Sequence, residues 1–138
     1  MKVKSARLLA LSLLAFASGC ASVHVAKEYH GVRVEDGRAP VATVEIENSG
    51  WFLFSFIPIG SGDPEQPNKV ACRWFRDTVH LESNMRLLDS QMKAAGATEA
   101  ENLTSHRTDE KYLLILLERR SYHTSAVLTK TLEGNDKK

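Results

Sequence analysis

Five histidines (His24, His30, His80, His106 and His123) and two cysteines (Cys20 and Cys72) are the residues of this 138-residue chain best suited to metal binding or bond-making. No histidine sits beside another, or beside a cysteine, at the close spacings of zinc sites. Cys72 and His80 are eight apart, across an expected strand end and helix start. His106 and His123 can face each other across the last strands. Surface and turn positions account for these histidines, and no metal is expected. There is no Gly-x-Ser-x-Gly elbow, no phosphate-binding glycine loop and no His-Glu-x-x-His pair. Gly60-Ser61-Gly62 is too short to cradle a phosphate and precedes acids. Glu82 and Asp89 lie on a helix face, where solvation explains them. No catalytic residue and no cofactor are expected, so the chain reads as a non-enzyme.

Composition narrows the class. At 15.3 kDa, with 43% hydrophobic and 25% charged residues, the chain suits one globular domain. A net charge of +1 leaves no electrostatic footprint of a nucleic-acid binder, and no nucleic-acid partner is expected.

The N-terminus is more informative. Lys2, Lys4 and Arg7 precede Leu8-Leu9-Ala10-Leu11-Ser12-Leu13-Leu14-Ala15-Phe16-Ala17, with small residues after it. A basic start, a short apolar run and a small-residue exit form a secretory signal. The run is too short to cross a bilayer, which takes about 20 apolar residues.

Ala17-Ser18-Gly19-Cys20 resembles the bacterial lipobox, although Ala17 replaces the usual leucine. That resemblance implies cleavage after residue 19 and three acyl chains on Cys20. The rival exit is Ala15-Phe16-Ala17, an ordinary signal-peptidase site. Removing residues 1–19 takes away three basic groups and no acid, so the mature charge becomes −2. Anionic headgroups then contribute nothing overall, and the acyl chains must hold the anchor. Ala21 is not aspartate, which by analogy with enteric sorting points to the outer membrane, facing the periplasm. Cys72 lacks a partner if Cys20 is acylated, and reads as a buried thiol.

Expected boundaries are a signal over 1–19, a tether over 20–28, a domain over 29–130 and a polar tail over 131–138. Alternation predicts strands over Tyr29–Val34 and Val41–Ile46, with a turn at Asp36-Gly37. Asn48-Ser49-Gly50 reads as a break. Trp51-Phe52-Leu53-Phe54-Ser55-Phe56-Ile57 reads as a strand apolar on both faces, bent at Pro58. Residues 60–68 read as a loop, and 70–75 as a strand. One helix is expected over about 78–95, from the stripe Leu81, Met85, Leu88, Met92 and Ala95, with Thr78 as N-cap and Gly96 at its end. Glu99–His106 reads as a weak strand and Thr108–Lys111 as its turn. Tyr112–Leu117 reads as a central buried strand, and Tyr122–Leu128 as the last. The class is α+β: an antiparallel sheet with one main helix on one face, in two layers.

Asn48 through Gly62, with its Gly-Trp-Phe-Leu-Phe and Ile-Pro-Ile-Gly pieces, resembles a group of small bacterial lipoproteins that close on a strand like His123-Thr124-Ser125-Ala126. The likeness spans roughly residues 29–130 and carries no activity. Ala94-Ala95-Gly96-Ala97-Thr98 is distantly similar to the TRL-like small lipoproteins.

The combined reading is a membrane-anchored envelope lipoprotein acting as a non-catalytic interaction or structural module. Two alternatives stay open. One is a periplasmic lipoprotein that binds a small ligand or a metal. The other is a secreted protein cleaved after Ala17 with a Cys20–Cys72 disulfide. One helix can cover only one sheet face, so half of the aromatic segment should pack under it with Leu81, Met85 and Leu88. The other half meets the N-terminal strands, the membrane, an envelope protein or a second copy. Trp51, Phe54 and Phe56 are the candidate contact residues.

Overall fold

A computed structural model describes residues 20–27, 34–69, 71–113 and 116–132. Its elements are β1 (Ala21–Ala26), β2 (Arg38–Leu53), β3 (Ile57–Gly62), β4 (Cys72–Trp74), α1 (Leu81–Ala95), β5 (Glu99–Tyr112) and β6 (Leu117–Thr131). The strands form one six-stranded sheet in the order β4-β3-β2-β6-β5, every pairing antiparallel. The 16-residue β2 is its spine. One edge of β2 pairs with β6 from end to end. The other is shared by β1, opposite Thr43–Asn48, and β3, opposite Gly50–Leu53.

Strand alternation sorts the residues by face. Val23, Ala42, Val44, Ile46, Ala126 and Leu128 turn inward and form a core with Leu87 and Leu88 of α1. Met85, Met92 and Ala95 pack against it, as their helical spacing predicts. Leu81, at the head of the expected stripe, is exposed, and Leu87 takes its place in the core. The helix begins after His80, which caps it with backbone alone. The expected cap, Thr78, instead spends its hydroxyl on the Gly62 carbonyl and the Ser61 hydroxyl, 2.7 and 2.8 Å away. Gly96 ends α1 as expected, at φ 65°, a conformation glycine adopts freely. Glu82–Arg86 and Asp89–Lys93 are exposed i,i+4 ion pairs, worth about 0.3–0.5 kcal/mol each.

Several expectations need correction. Residues 21–26, expected as tether, are β1, and Thr131, expected in the tail, pairs with Arg38 in β6. Asn48-Ser49-Gly50 is not a break but buried strand. Gly50 is there for space, since a Cβ would stand 2.8 Å from Val79 Cγ2 and 3.0 Å from Ser61 Cβ. The Asn48 amide donates to the Thr78 carbonyl of the segment crossing above it. The expected loop over 60–68 begins only after Gly62. Thr108–Lys111 is not a turn: β5 runs straight through it as an exposed edge, polar enough to discourage edge-to-edge pairing.

The two most apolar segments depart furthest from expectation. β2 stops at Leu53, and Phe54-Ser55-Phe56 turns the chain into β3. Pro58 then lies within β3, where Trp51 pairs with Gly60 but Phe52 with Pro58, leaving Ile59 as an extra residue. Tyr112–Leu117 is not a central strand either. Tyr112 ends β5, Leu117 starts β6, and Leu113 and Leu116 stand in the turn between them. The expected strand over Tyr29–Val34 and the signal over 1–19 lie outside the described residues apart from Val34, while the Asp36-Gly37 turn is present.

Candidate contact surface at the hairpin tips

Both turns lie at the same end of the sheet, because Leu53 and Leu117, the residues flanking them, are paired. The Phe54 amide donates to the Leu116 carbonyl at 2.9 Å, tying one tip to the other. β4 adds a third segment, since Trp74 pairs with Gly60 and the Phe75 amide donates to the Ile59 carbonyl.

These segments expose large apolar side chains together. The first turn shows Phe54, Phe56 (73% exposed) and Ile57. The second shows Tyr112, Leu113 (72%) and Leu116, and the β4 exit shows Trp74 and Phe75 (76%). Elsewhere among the described residues, exposed large apolar residues such as Val25, Leu81, Leu103 and Leu132 fall singly. Scattered apolar residues need no explanation, whereas a gathered patch marks a contact site.

The backbone carries a second sign. Phe54 (φ 52°), Ser55 (φ 67°), Phe75 (φ 56°) and Leu113 (φ 50°) occupy the left-handed region. The other non-glycine residues there, Asn68 and Asn102, belong to a type that tolerates it. For a bulky residue the conformation costs roughly 1–2 kcal/mol, which glycine would avoid. Strain retained where glycine would serve points to a use for the side chains.

Of the three candidates, Phe54 and Phe56 are exposed, with ring centroids 6.4 Å apart. Trp51 is half-buried on the outer face, its ring 5.3 Å from that of Tyr112. Phe52 is the one fully buried aromatic of the segment. It does not join the core under α1, as half of the segment was expected to, but lies beneath Arg120, whose guanidinium carbon is 4.1 Å from the ring centroid.

Arg120 is the residue that sequence reasoning missed. Its Nη2 donates to the Ser55 carbonyl in the first tip (3.0 Å) and to Glu118 (3.1 Å), and Asp77 and Asp109 lie within ion-pair range. The second of two arginines in a polar stretch gives no hint of such a role; only the pairing of Gly50 with Arg120 places it there. The Asp109 carboxyl is held below its usual range, chiefly by a hydrogen bond from Arg107 and then by the charges of Arg107 and Arg120, against the opposing effect of partial burial. Tyr112 titrates above the ordinary phenol range, mainly because its hydroxyl donates to Glu110.

Cys20 lies in the same half of the molecule. It is exposed, its amide donates to Ser49 Oγ at 3.2 Å, and its carbonyl accepts from the Ser49 amide at 2.8 Å. Ser49 is four residues before Leu53 in β2. Cys72 is half-buried, and both thiols are free.

Three histidines, His24, His106 and His123, gather on the polar outer face. His106 and His123 are paired across β5 and β6, as expected, with rings stacked 5.0 Å apart. With His24, Glu45 and Glu47 they line a shallow depression of about 270 Å³. Among the described residues, no three His, Cys, Asp or Glu side chains are placed to hold a metal ion. No described helix is long and apolar enough to cross a membrane.

At the opposite end of the sheet the chemistry reverses. Arg38 pairs with Glu35, Glu99 and Glu101. Glu101 also accepts from the Glu35 amide and the Thr129 hydroxyl, and its carboxyl titrates below the ordinary range, first because of the Arg38 hydrogen bond. This end exposes charge alone, whereas the tips expose large apolar side chains beside the Arg120 cluster. No family model, no curated protein and no solved structure matches the chain.

Proposed function

We propose that this protein is a bacterial envelope lipoprotein anchored through acylated Cys20, facing the periplasm from the outer membrane. Its two-layer α+β domain serves as a non-catalytic module whose apolar hairpin tips make contact. The observation that carries this reading is the gathering of Phe54, Phe56, Phe75 and Leu113, exposed and three of them in strained backbone, at one end of the sheet. The signal layout ending at Gly19-Cys20 supports the anchor.

Labelling cells with an alkyne fatty acid tests the anchor. Label is expected on the native chain and not on Cys20→Ser. Equal labelling of both, or a mature N-terminus at Ser18, overturns it, and fractionation with the inner membrane overturns the placement. A photoreactive residue at Phe54 is expected to capture a neighbour in intact envelopes. Capture of nothing there removes the contact role.

A further inference from the structure

We infer that the apolar tips seat in the surface of the bilayer that holds the anchor, so that the domain touches the membrane at two points. This deepens the function proposed above and rests on its acylated Cys20. The first support is the absence of slack. The Cys20 backbone is fixed to Ser49 by two hydrogen bonds, its amide donating to Ser49 Oγ and its carbonyl accepting from the Ser49 amide, and it leads directly into β1. From Ser49 to Leu53, where the tips begin, is four residues of β2, or roughly 13 Å at about 3.3 Å per residue. A domain held that tightly cannot stand off from the headgroups, and its apolar end is within reach of them.

The second support is the set of residue types gathered there. Phe56 and Leu113 stand in the two turns, Tyr112 shares the pairing row of Leu53 and Leu117, and Trp51 and Trp74 share the row of Gly60, with Arg76 and Lys111 beside Phe75 and Tyr112 and the acids Asp77 and Glu110 next to those cations. Tryptophan, tyrosine and cations beside apolar side chains are the residues that a bilayer interface favours. Arg76 and Lys111 have no ion-pair partner among the described residues, unlike Arg38 and Arg73. The third is polarity: the outer face carries Glu45, Glu47 and His123, and the far end carries the Arg38 cluster, so only the tips suit an apolar medium.

The chain supplies its own probe, because its two tryptophans, Trp51 and Trp74, both lie at this end. The mature protein is reconstituted into vesicles of phosphatidylethanolamine and phosphatidylglycerol, with or without bromine at shallow acyl positions, and Cys20 acylation is read by mass spectrometry in the same sample. Blue-shifted emission, quenched by the brominated lipid, is expected. Phe56→Ser/Leu113→Ser should abolish the quenching, with circular dichroism confirming the fold; Phe54→Gly is the second variant, expected to weaken it.

Acylated protein with equal emission in both vesicles overturns the seating and leaves the anchor standing. Quenching without acylation removes the anchor and supports the seating on its own. Neither acylation nor quenching overturns both. A photoreactive residue at Phe56 is expected to yield lipid adducts in intact envelopes; adducts with a protein, or with a second copy of this chain, overturn the bilayer as the occupant.

Discussion

Arg120 covers the ring of Phe52 at 4.1 Å and, from the same guanidinium, donates to the carbonyl of Ser55. One side chain thus closes the buried layer behind the tips and holds one tip in place. Glu118, buried beside it, is its nearest carboxylate. Arg120→Ala should destabilise the domain by about 3 kcal/mol or more, because a buried carboxylate loses its partner. Adding Glu118→Gln should recover part of that loss. Urea unfolding of the two single variants and the double variant checks this, and strict additivity counts against it.

Phe52→Ala, a truncation at a fully buried ring, should cost about 3–5 kcal/mol. Phe56→Ser, three-quarters exposed, should change stability by no more than about 0.5 kcal/mol. Thermal unfolding of both variants separates core from exposed surface within one short segment.

Phe54→Gly and Leu113→Gly should leave stability unchanged or raise it. Each relieves a left-handed backbone, a gain of roughly 1–2 kcal/mol, against about 0.5–1 kcal/mol of added chain entropy. A clear fall in the unfolding midpoint would mean that the tips are held for stability rather than for contact.

Gly62→Ala should detach β1. The new Cβ would stand 2.4 Å from the Ala21 nitrogen and the Cys20 carbonyl carbon, both backbone. Amides of β1 should exchange at least about tenfold faster, which takes only ~1.4 kcal/mol of easier opening. Unchanged protection of Val25, whose neighbours in β2 are intact, would show that the clash is absorbed locally.

The pH dependence follows from Glu101 and Asp109, both held below their ordinary range in the folded state. Their contribution is full above the unfolded carboxylate values, about 4, and is lost as pH falls through the lower folded values. Stability of the native protein should therefore drop below about pH 4. Arg38→Gln should flatten that fall, since the main cause of the Glu101 shift is gone. Equal slopes in both proteins would contradict it.

Much of this fold is legible in the residues. The 3.6-residue recurrence of Met85, Leu88, Met92 and Ala95 and the terminal Gly96 specify α1, and alternation in Val44 and Ile46 specifies the inner face of β2. The two tips were not legible, because neither turn contains glycine, proline or asparagine. A run such as Tyr112-Leu113-Leu114-Ile115-Leu116-Leu117 satisfies every criterion for a buried strand. What decides otherwise is the long-range pairing of Tyr112 with Leu117, which no local pattern reports. Glu99–His106 reads correctly as strand, but Thr108–Lys111, further along β5, reads as a turn for the converse reason: an edge stretch facing water on most sides carries the polar residues of a turn. The exposure of Phe54 and Phe56 was anticipated only because one helix cannot cover two sheet faces.

The spine of this sheet has a consequence for the order of events in folding. β2 takes β6 as its full-length neighbour, with Arg38 opposite Thr131 and Leu53 opposite Leu117. The strand emerging early from the ribosome therefore waits for the one emerging late, and its inward row of Ala42, Val44 and Ile46 has no lasting cover in the meantime. Such distant pairings make for slow folding. Until β6 is made the sheet stays open, and that apolar row is exposed to aggregation.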